Sequence, residues 1–348
     1  MNQQKESTQI ALIVNPNSAG GSTQKDWEDI YGKVKGTLGS LKVVFSKKRG
    51  DGTNLARDLL KQGFDKIIAL GGDGTINEVA NGFFEEIIVG SCHNSNGNDT
   101  VFELPELRPI NPNAILGIIP SGSRNILAKS LDMPVEIIEC CQRFLDAKPQ
   151  KIDVIVGAMT EGVTEGQKME PSNNSNITAR AYLNAAEIGA GAEIIDRSKR
   201  IRDRIRSRVI STISSVVATL PTYESNICDI SIDNGQRNLL SKMTMGVIAN
   251  GKYLGGGLTA APRANISDGL LDITILQNSG SFKMLEGLVN MQENKDFTLN
   301  DNNLFYSQAK KVSIKSKERE ITVTLDGEPT GVLPATFQVY QHALNVKV

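Results

Sequence analysis

Two hydrophobic periods alternate along the first 150 residues. Short apolar runs at 10–15, 41–45, 66–70 and 115–119 read as strands, whereas 24–38, 54–62, a segment opening at Ile76 and about 124–131 carry helical spacing. In the segment from Ile76, the side chains of Val79, Ala80, Phe83, Phe84 and Ile87 fall on the same helical face as Ile76. Such alternation predicts a mostly parallel, layered sheet with ligand-binding loops at the strand C-terminal ends. After about Lys151 the pattern turns to strand runs at 152–156, 181–186, 227–232, 243–250, 270–276 and 321–325, which predicts a second, mainly antiparallel domain. Two polar stretches interrupt the order: 91–113 reads as an inserted surface loop and 157–179 as an excursion between strands.

Length supports the division, since 348 residues exceed the usual size of one hydrophobic core. Lys and Arg total 38 against 39 Asp and Glu, so global charge implies no nucleic-acid partner. Cys92, Cys140, Cys141 and Cys228 form no CxxC pair, and His93 and His342 complete no zinc spacing. Residues 1–8 are polar, the apolar run that follows is too short for a signal segment, and 209–223 is too short to span a bilayer. A cytoplasmic protein is expected.

The richest chemistry lies in Gly71-Gly72-Asp73-Gly74-Thr75-Ile76-Asn77-Glu78, between a strand and a helix. Glycines let the backbone turn with its N–H groups exposed, and a following helix adds the positive end of its dipole, so anionic oxygens fit there. Thr75 and Glu78 have capping-box spacing. Asp73 would repel a bare phosphate and makes sense where a divalent cation or a hydroxyl proton intervenes. An ordinary tight turn at Asp73-Gly74 is the alternative. Pro120-Ser121-Gly122-Ser123-Arg124-Asn125 repeats the strand-loop-helix logic, and Asn15 to Gly21 is a third glycine-bearing turn after a strand. No Walker loop occurs and no GxGxxG follows a strand.

In the second domain Leu325-Asp326-Gly327-Glu328-Pro329 places two carboxylates at a turn that also suits a type I′ hairpin. The run from Asn265 through Asp268 and Leu270 to Asp272 reads as a hairpin turn or as a source of oxygens for a hard cation such as Mg²⁺. Gly255 to Gly257 suit either flexibility or a close backbone approach to a ligand. Residues 196–208 carry seven Lys or Arg against Asp196 and Asp203, with Ile201, Ile205, Val209 and Ile213 recurring beneath them. That is a basic amphipathic helix, suited to an anionic membrane surface or simply to solvent.

Together these pieces resemble the diacylglycerol kinase catalytic-domain family, which includes sphingosine and ceramide kinases and is related in its first domain to NAD kinases. The resemblance rests on Ile13 to Pro16 with Gly20-Gly21, Gly71 to Asn81, Ile118 to Leu131, Gly255 to Asp272 and Leu325 to Pro329, in that order. It implies α/β plus β architecture: a Rossmann-like three-layer nucleotide-binding domain over 8–150, a mainly antiparallel β-sandwich over 151–335, an active cleft between them, and a final strand, about 336–348, returning to the first.

By the same resemblance, ATP would be held by Gly71, Gly72, Asp73, Gly74, Thr75, Asn77 and Ser123, with Asn15, Glu78, Gly122 and Asn125 of the same turns. Asp73 would help place Mg²⁺. Asp326 and Glu328 would face a lipid hydroxyl, with Asp326 favoured over Asp73 as proton acceptor. Asp268, the Leu270 carbonyl and Asn265 match positions that bind a structural Mg²⁺ in bacterial relatives. The implied protein is an ATP- and Mg-dependent lipid kinase, peripheral to a membrane through 196–208, with a homodimer possible. Ile126 stands where many diacylglycerol kinases carry Asp, which leaves the lipid class open. The alternatives are a soluble-substrate kinase of the NAD kinase type, or a catalytically silent lipid or nucleotide sensor.

Overall fold

The computed structural model describes residues 9–93, 100–162, 177–194, 223–254, 259–277 and 304–348. The expected basic helix 196–208 and Gly255 to Gly257 lie outside them, as do the interiors of the two polar stretches, 94–99 and 163–176. The first half runs β1 (Ile10–Val14), α1 (Ser22–Lys25), α2 (Trp27–Leu38), β2 (Lys42–Phe45), α3 (Asp51–Lys61), β3 (Lys66–Gly71), α4 (Asp73–Asn81), β4 (Gly90–His93), β5 (Thr100–Glu103), β6 (Ile115–Pro120), α5 (Ile126–Ser130) and α6 (Ile137–Asp146). The second runs β7 (Gln150–Thr160), β8 (Ile177–Tyr182), β9 (Ala185–Gly189), β10 (Asn226–Ile232), β11 (Arg237–Ala249), β12 (Leu271–Gln277), β13 (Leu304–Ala309), β14 (Lys311–Ser316), β15 (Thr322–Leu325) and β16 (Glu328–Lys347). The chain divides into two compact units: residues up to Glu86 with Leu107–Ile152 and His342–Val348, and Ile87–Glu106 with Asp153–Gln341.

The first unit is a parallel sheet in the order β16-β6-β3-β1-β2, its edge formed by Asn345–Lys347 of β16 beside Ile115–Gly117. Its central strands are continuous apolar runs because both faces are covered. Leu12, Val14, Ile68 and Leu70 pack with Ile30, Val34 and Leu38 of α2 and with Cys140, Cys141 and Phe144 of α6. The alternate residues Ala11, Ile13, Ile67 and Ala69 are equally buried, where α3 meets β1 and α4 meets β3. The segment expected as one helix over 24–38 is two, divided at Asp26, whose φ of −96° and ψ of 13° leave the helical region. The helix expected from Ile76 instead begins at Asp73 and ends at Asn81; Phe83 and Phe84 are buried beyond its end.

The second unit is built on antiparallel pairs. They form a closed circuit, β9-β15-β16-β14-β10-β11-β9, with β12 and β13 added beyond β11 and β8 paired to β7. Strand β11 makes the closure possible: Arg237–Met243 pair with β10, the register shifts between Met243 and Met245, and Met245–Ala249 pair with β9. A bulge at that point bends the strand from one partner to the next. Both faces of β11 are then buried, with Met243 and Ile248 in the core inside the circuit and Met245, Val247 and Ala249 in a second, alanine-rich core.

Two expectations are corrected here. The single strand over 181–186 is two strands, β8 and β9, separated by a turn at Leu183-Asn184. The stretch 91–113 is not simply a surface loop: Gly90–His93 pair antiparallel with Thr100–Glu103, and Phe102 and Leu107 are buried. Strands β13 and β14 had no strong signal, since Leu304–Ala309 and Lys311–Ser316 mix polar and apolar residues to suit a sheet with one wetter face.

Candidate active site

In the first unit the turns after β1, β3 and β6 meet. The Asn15 Nδ2 donates to Thr75 Oγ1 at 2.9 Å, and the Ser18 and Ser121 hydroxyls lie 2.9 Å apart. Ser18 also shares a 2.6 Å hydroxyl contact with Thr23. Ser121 N–H donates to the Gly71 carbonyl at 2.9 Å, which ties the second turn to the third. At Gly72 and Gly122 the two backbones nearly touch: a methyl group built on Gly122 would lie 2.3 Å from the Gly72 Cα. Only hydrogen fits there.

Each acidic residue of the motif has a place in this assembly. Asp73 opens α4, and its Oδ1 accepts the Leu127 N–H at 3.2 Å, so it caps α5. The Thr75–Glu78 capping box does not form. Thr75 is buried against Asn15, and the cap position is Gly72, which has no side chain. Glu78 reaches instead to α3, where its carboxylate accepts N–H bonds from Gly50 at 2.8 Å and Gly52 at 3.1 Å. Glu78 thus caps a neighbouring helix rather than its own. Asn77 is buried, and both its carbonyl and its Oδ1 accept from Asn81 Nδ2. Asn77 and Glu78 therefore hold the scaffold of the turn, while Gly72, Gly74, Ser123 and Asn125 are half-buried around it.

A phosphate chain fits this place on two observations. The glycine contact leaves a cradle that any side chain would fill, and the buried Oδ1 of Asn125 has no hydrogen-bond partner. Asn125 adopts φ 51°, ψ 47° at the start of α5, a conformation Asn tolerates better than most residues. The first turn of α4 adds main-chain N–H groups and the positive end of a nine-residue helix.

In the second unit, Asp326 and Gly327 have φ of 48° and 77°, as a type I′ turn requires, and join β15 to β16 as a hairpin. The Asp326 carboxylate is not simply displayed at that turn. Its Oδ2 accepts the Leu183 N–H at 3.0 Å, and its Oδ1 accepts those of Asn184 at 2.9 Å and Ala185 at 3.1 Å. The Asp326 N–H returns a bond to the Ala185 carbonyl. Asp326 thus holds the turn that breaks 181–186 into two strands. Beside it, buried Glu187 accepts the Thr324 hydroxyl at 2.6 Å. Glu328 is half-buried at the start of β16.

The cation positions lie elsewhere in the same unit. Asn265 Oδ1 accepts the Ser267 N–H at 3.2 Å, Asp268 Oδ1 accepts the Leu270 N–H at 3.0 Å, and Asp153 Oδ2 accepts the Gly269 N–H at 2.6 Å. Among the described residues no group of three or more His, Cys, Asp or Glu is arranged to hold a metal ion. A cation here would rest on mixed carboxylate, amide and carbonyl oxygens, which suits a hard ion. Burial raises the Asp272 carboxyl above the ordinary range; bonds from Tyr306 and Gln308 oppose this, and Asp268 adds to it.

Residues 9–156 match the family profile described as "Diacylglycerol kinase catalytic domain", and 185–348 match "YegS C-terminal NAD kinase beta sandwich-like domain". The chain carries a diacylglycerol kinase catalytic domain followed by a YegS-type C-terminal domain. It is 27% identical over 322 residues to a Chromohalobacter salexigens protein named "Probable lipid kinase YegS-like", spanning 91% of this chain and 86% of that protein. It is 22% identical over 334 residues to a Bacillus subtilis protein named "Diacylglycerol kinase", spanning 95% and 93%. A crystal structure of a diacylglycerol kinase from Bacillus anthracis strain Sterne shares the fold, with a TM-score of 0.65 at 22% identity, over 98% of this chain and 96% of that one.

The departure at Ile126 has a structural setting: the side chain is buried at the first position of α5, directly after Asn125. Sequence reasoning singled out the turns that hold Ser18 and Ser121 without naming either as a site residue, and it missed Thr23, the Leu183–Ala185 turn and the buried Glu187. The hydroxyls had a weak signal, since all three lie in or beside strand-to-helix turns. Residues 183–185 had none, because their role is carried by backbone N–H groups. No helix among the described residues is long and apolar enough to cross a membrane.

Proposed function

We propose that this chain is an ATP- and Mg²⁺-dependent lipid kinase that phosphorylates a hydroxyl of a diacylglycerol-like or sphingoid lipid. The observation that carries the nucleotide half is the contact of Gly72 with Gly122 at the mouth of α4, which clears space for a phosphate chain against backbone N–H groups. Mg²⁺, when bound, supplies charge neutralisation on the phosphates. Asp73 would hold it, and Asn15, Ser121 and Ser123 with the α4 N-terminus would orient the phosphate oxygens. Asp326 accepts the hydroxyl proton late, as the new P–O bond forms, so a strong base is not required. Glu328 helps position the hydroxyl. The basic segment 196–208 brings the protein to an anionic lipid surface, each Lys or Arg adding about 1 kcal/mol near such a leaflet.

The test is incubation with labelled ATP, Mg²⁺ and a panel of diacylglycerol, sphingoid base, ceramide, other glycerolipids and NAD, each lipid presented in anionic and in neutral vesicles. Labelled lipid, with more product on anionic vesicles, is expected. Label on NAD alone would replace the lipid reading by a soluble-substrate kinase, and no label on any acceptor would leave a silent sensor. A second expectation concerns the glycine contact. Gly122→Ala places a methyl group against the Gly72 backbone and 2.6 Å from Asn125 Oδ1. Backbone cannot yield as a flexible side chain would, so the variant should lose about 1–3 kcal/mol of stability. Its KM for ATP should rise at least about tenfold, the equivalent of 1.4 kcal/mol of binding. Denaturant unfolding and initial-rate kinetics check both.

A further inference from the structure

Three hydroxyls, those of Ser18, Thr23 and Ser121, meet in the first unit, and each carries one proton and two acceptor lone pairs. Ser18 Oγ lies 2.8 Å from the Asn15 carbonyl, which can only accept, so the Ser18 proton is spent there. The same oxygen lies 2.6 Å from Thr23 Oγ1 and 2.9 Å from Ser121 Oγ, so it receives a proton from each. Thr23 has a second acceptor within reach, because its Oγ1 also stands 3.5 Å from Ser121 Oγ. Ser18 and Thr23 are buried, at 7% and 2% exposure, whereas Ser121 is half-buried.

The cluster spans the end of a central strand. Ser18 belongs to the turn after β1 and Ser121 to the turn after β6, and β3 lies between those two strands. At the end of β3 the Gly71 carbonyl accepts the Ser121 N–H at 2.9 Å, so the Ser121 main-chain donor is committed. The next residue, Gly122, presses on Gly72 at the mouth of α4. Ser121 can therefore donate to a phosphate oxygen only through its hydroxyl proton, and Ser18 accepts that proton. Turning it outward takes one donor away from Ser18. Thr23, at 2.6 Å, is the hydroxyl donor that remains. An oxygen that keeps one close donor stays satisfied, whereas a buried one that loses its last donor carries the full desolvation penalty.

We propose that Thr23 is a positioning residue: by keeping Ser18 satisfied, it frees the Ser121 hydroxyl proton for a phosphate oxygen of the nucleotide. The proposal rests on the nucleotide half of the kinase reading and adds to it a residue that itself touches no ligand. The change is a rotation of one hydroxyl, so no heavy atom has to move. The bond gained goes to a charged acceptor and is stronger than the bond between neutral hydroxyls that it replaces.

The experiment measures binding to the full chain by calorimetry, with Mg-ATP, inorganic tripolyphosphate and adenosine as probes. Thr23→Val keeps the shape of the side chain without its hydroxyl and should weaken ATP and tripolyphosphate about tenfold, with adenosine unchanged. Thr23→Ser should restore wild-type affinity. Ser121→Ala should weaken the two phosphate probes to a similar extent. Adding Thr23→Val to Ser121→Ala should then cost less than about twofold more, because the proton that Thr23 frees is gone. The proposal is overturned by wild-type tripolyphosphate affinity in folded Thr23→Val, by an equal loss for adenosine, or by a Thr23→Val effect that is the same with and without the Ser121 hydroxyl. If Thr23→Val does not fold, Ser121→Ala still decides, since wild-type tripolyphosphate affinity in that variant overturns the proposal. Wild-type protein that binds neither ATP nor tripolyphosphate would overturn the nucleotide reading and this proposal together, a result distinct from intact wild-type binding that is indifferent to Thr23.

Discussion

Replacing Asp326 with Ala is expected to lower both stability and turnover, the first by about 2–4 kcal/mol and the second at least about a hundredfold. The stability loss follows from three main-chain N–H groups, those of Leu183, Asn184 and Ala185, that would lose one shared acceptor. Each donor left without a partner costs roughly 1–3 kcal/mol when buried, and water entering beside half-buried Asp326 and Gly327 reduces the sum. The catalytic loss follows from the proposed proton acceptance. Asp326→Asn separates the two roles, since it retains the size of the side chain and one acceptor oxygen while removing the charge. It should unfold between wild type and Asp326→Ala, with turnover as low as that of Asp326→Ala. Urea unfolding and single-turnover phosphorylation measure the pair; wild-type stability of Asp326→Ala would refute the clamp, and turnover within threefold of wild type in Asp326→Asn would refute the proton acceptor.

Asp73→Ala is expected to reduce turnover at least about a hundredfold, with a stability cost of only about 1 kcal/mol. The expected stability cost is that of the cap Asp73 places on the Leu127 N–H at the start of α5. Its larger effect comes from charge at the mouth of α4, where the proposal has it hold Mg²⁺ against phosphate. Asp73→Asn can still accept the Leu127 N–H and should keep wild-type stability. Its turnover should nevertheless fall, and the Mg²⁺ concentration for half-maximal rate should rise. A loss of turnover in Asp73→Ala that Asp73→Asn fully restores would assign the residue to capping alone.

Sequence and structure differ most where a backbone group or a distant neighbour decides. The capping box at Thr75 and Glu78 shows this well: the residue types suit a helix start, but Glu78 meets the N–H groups of Gly50 and Gly52 through the packing of α3 on α4. Local spacing cannot say which helix a carboxylate will cap. Likewise 181–186 is apolar but for Asn184 and reads as one strand, yet it breaks at Leu183-Asn184, where the N–H groups turn toward a carboxylate more than 140 residues later in the chain. The hairpin at Asp326-Gly327 was legible, because φ above zero at two successive positions selects just those residues.

By itself the amino-acid order determined the parallel first unit, the antiparallel second unit, the glycine turns after β1, β3 and β6, and the family they resemble. These are short-range signals: period of hydrophobicity, a strand followed by glycine, a turn residue where φ is positive. Only the tertiary structure decided that Gly72 and Gly122 press together, that Asp73 caps α5, that Asp326 gathers three N–H groups, and that the Ser18, Thr23 and Ser121 hydroxyls meet. Those outcomes depend on which backbone groups are left over once the sheets have paired, and a leftover donor or acceptor is a property of the packed chain rather than of any stretch of it.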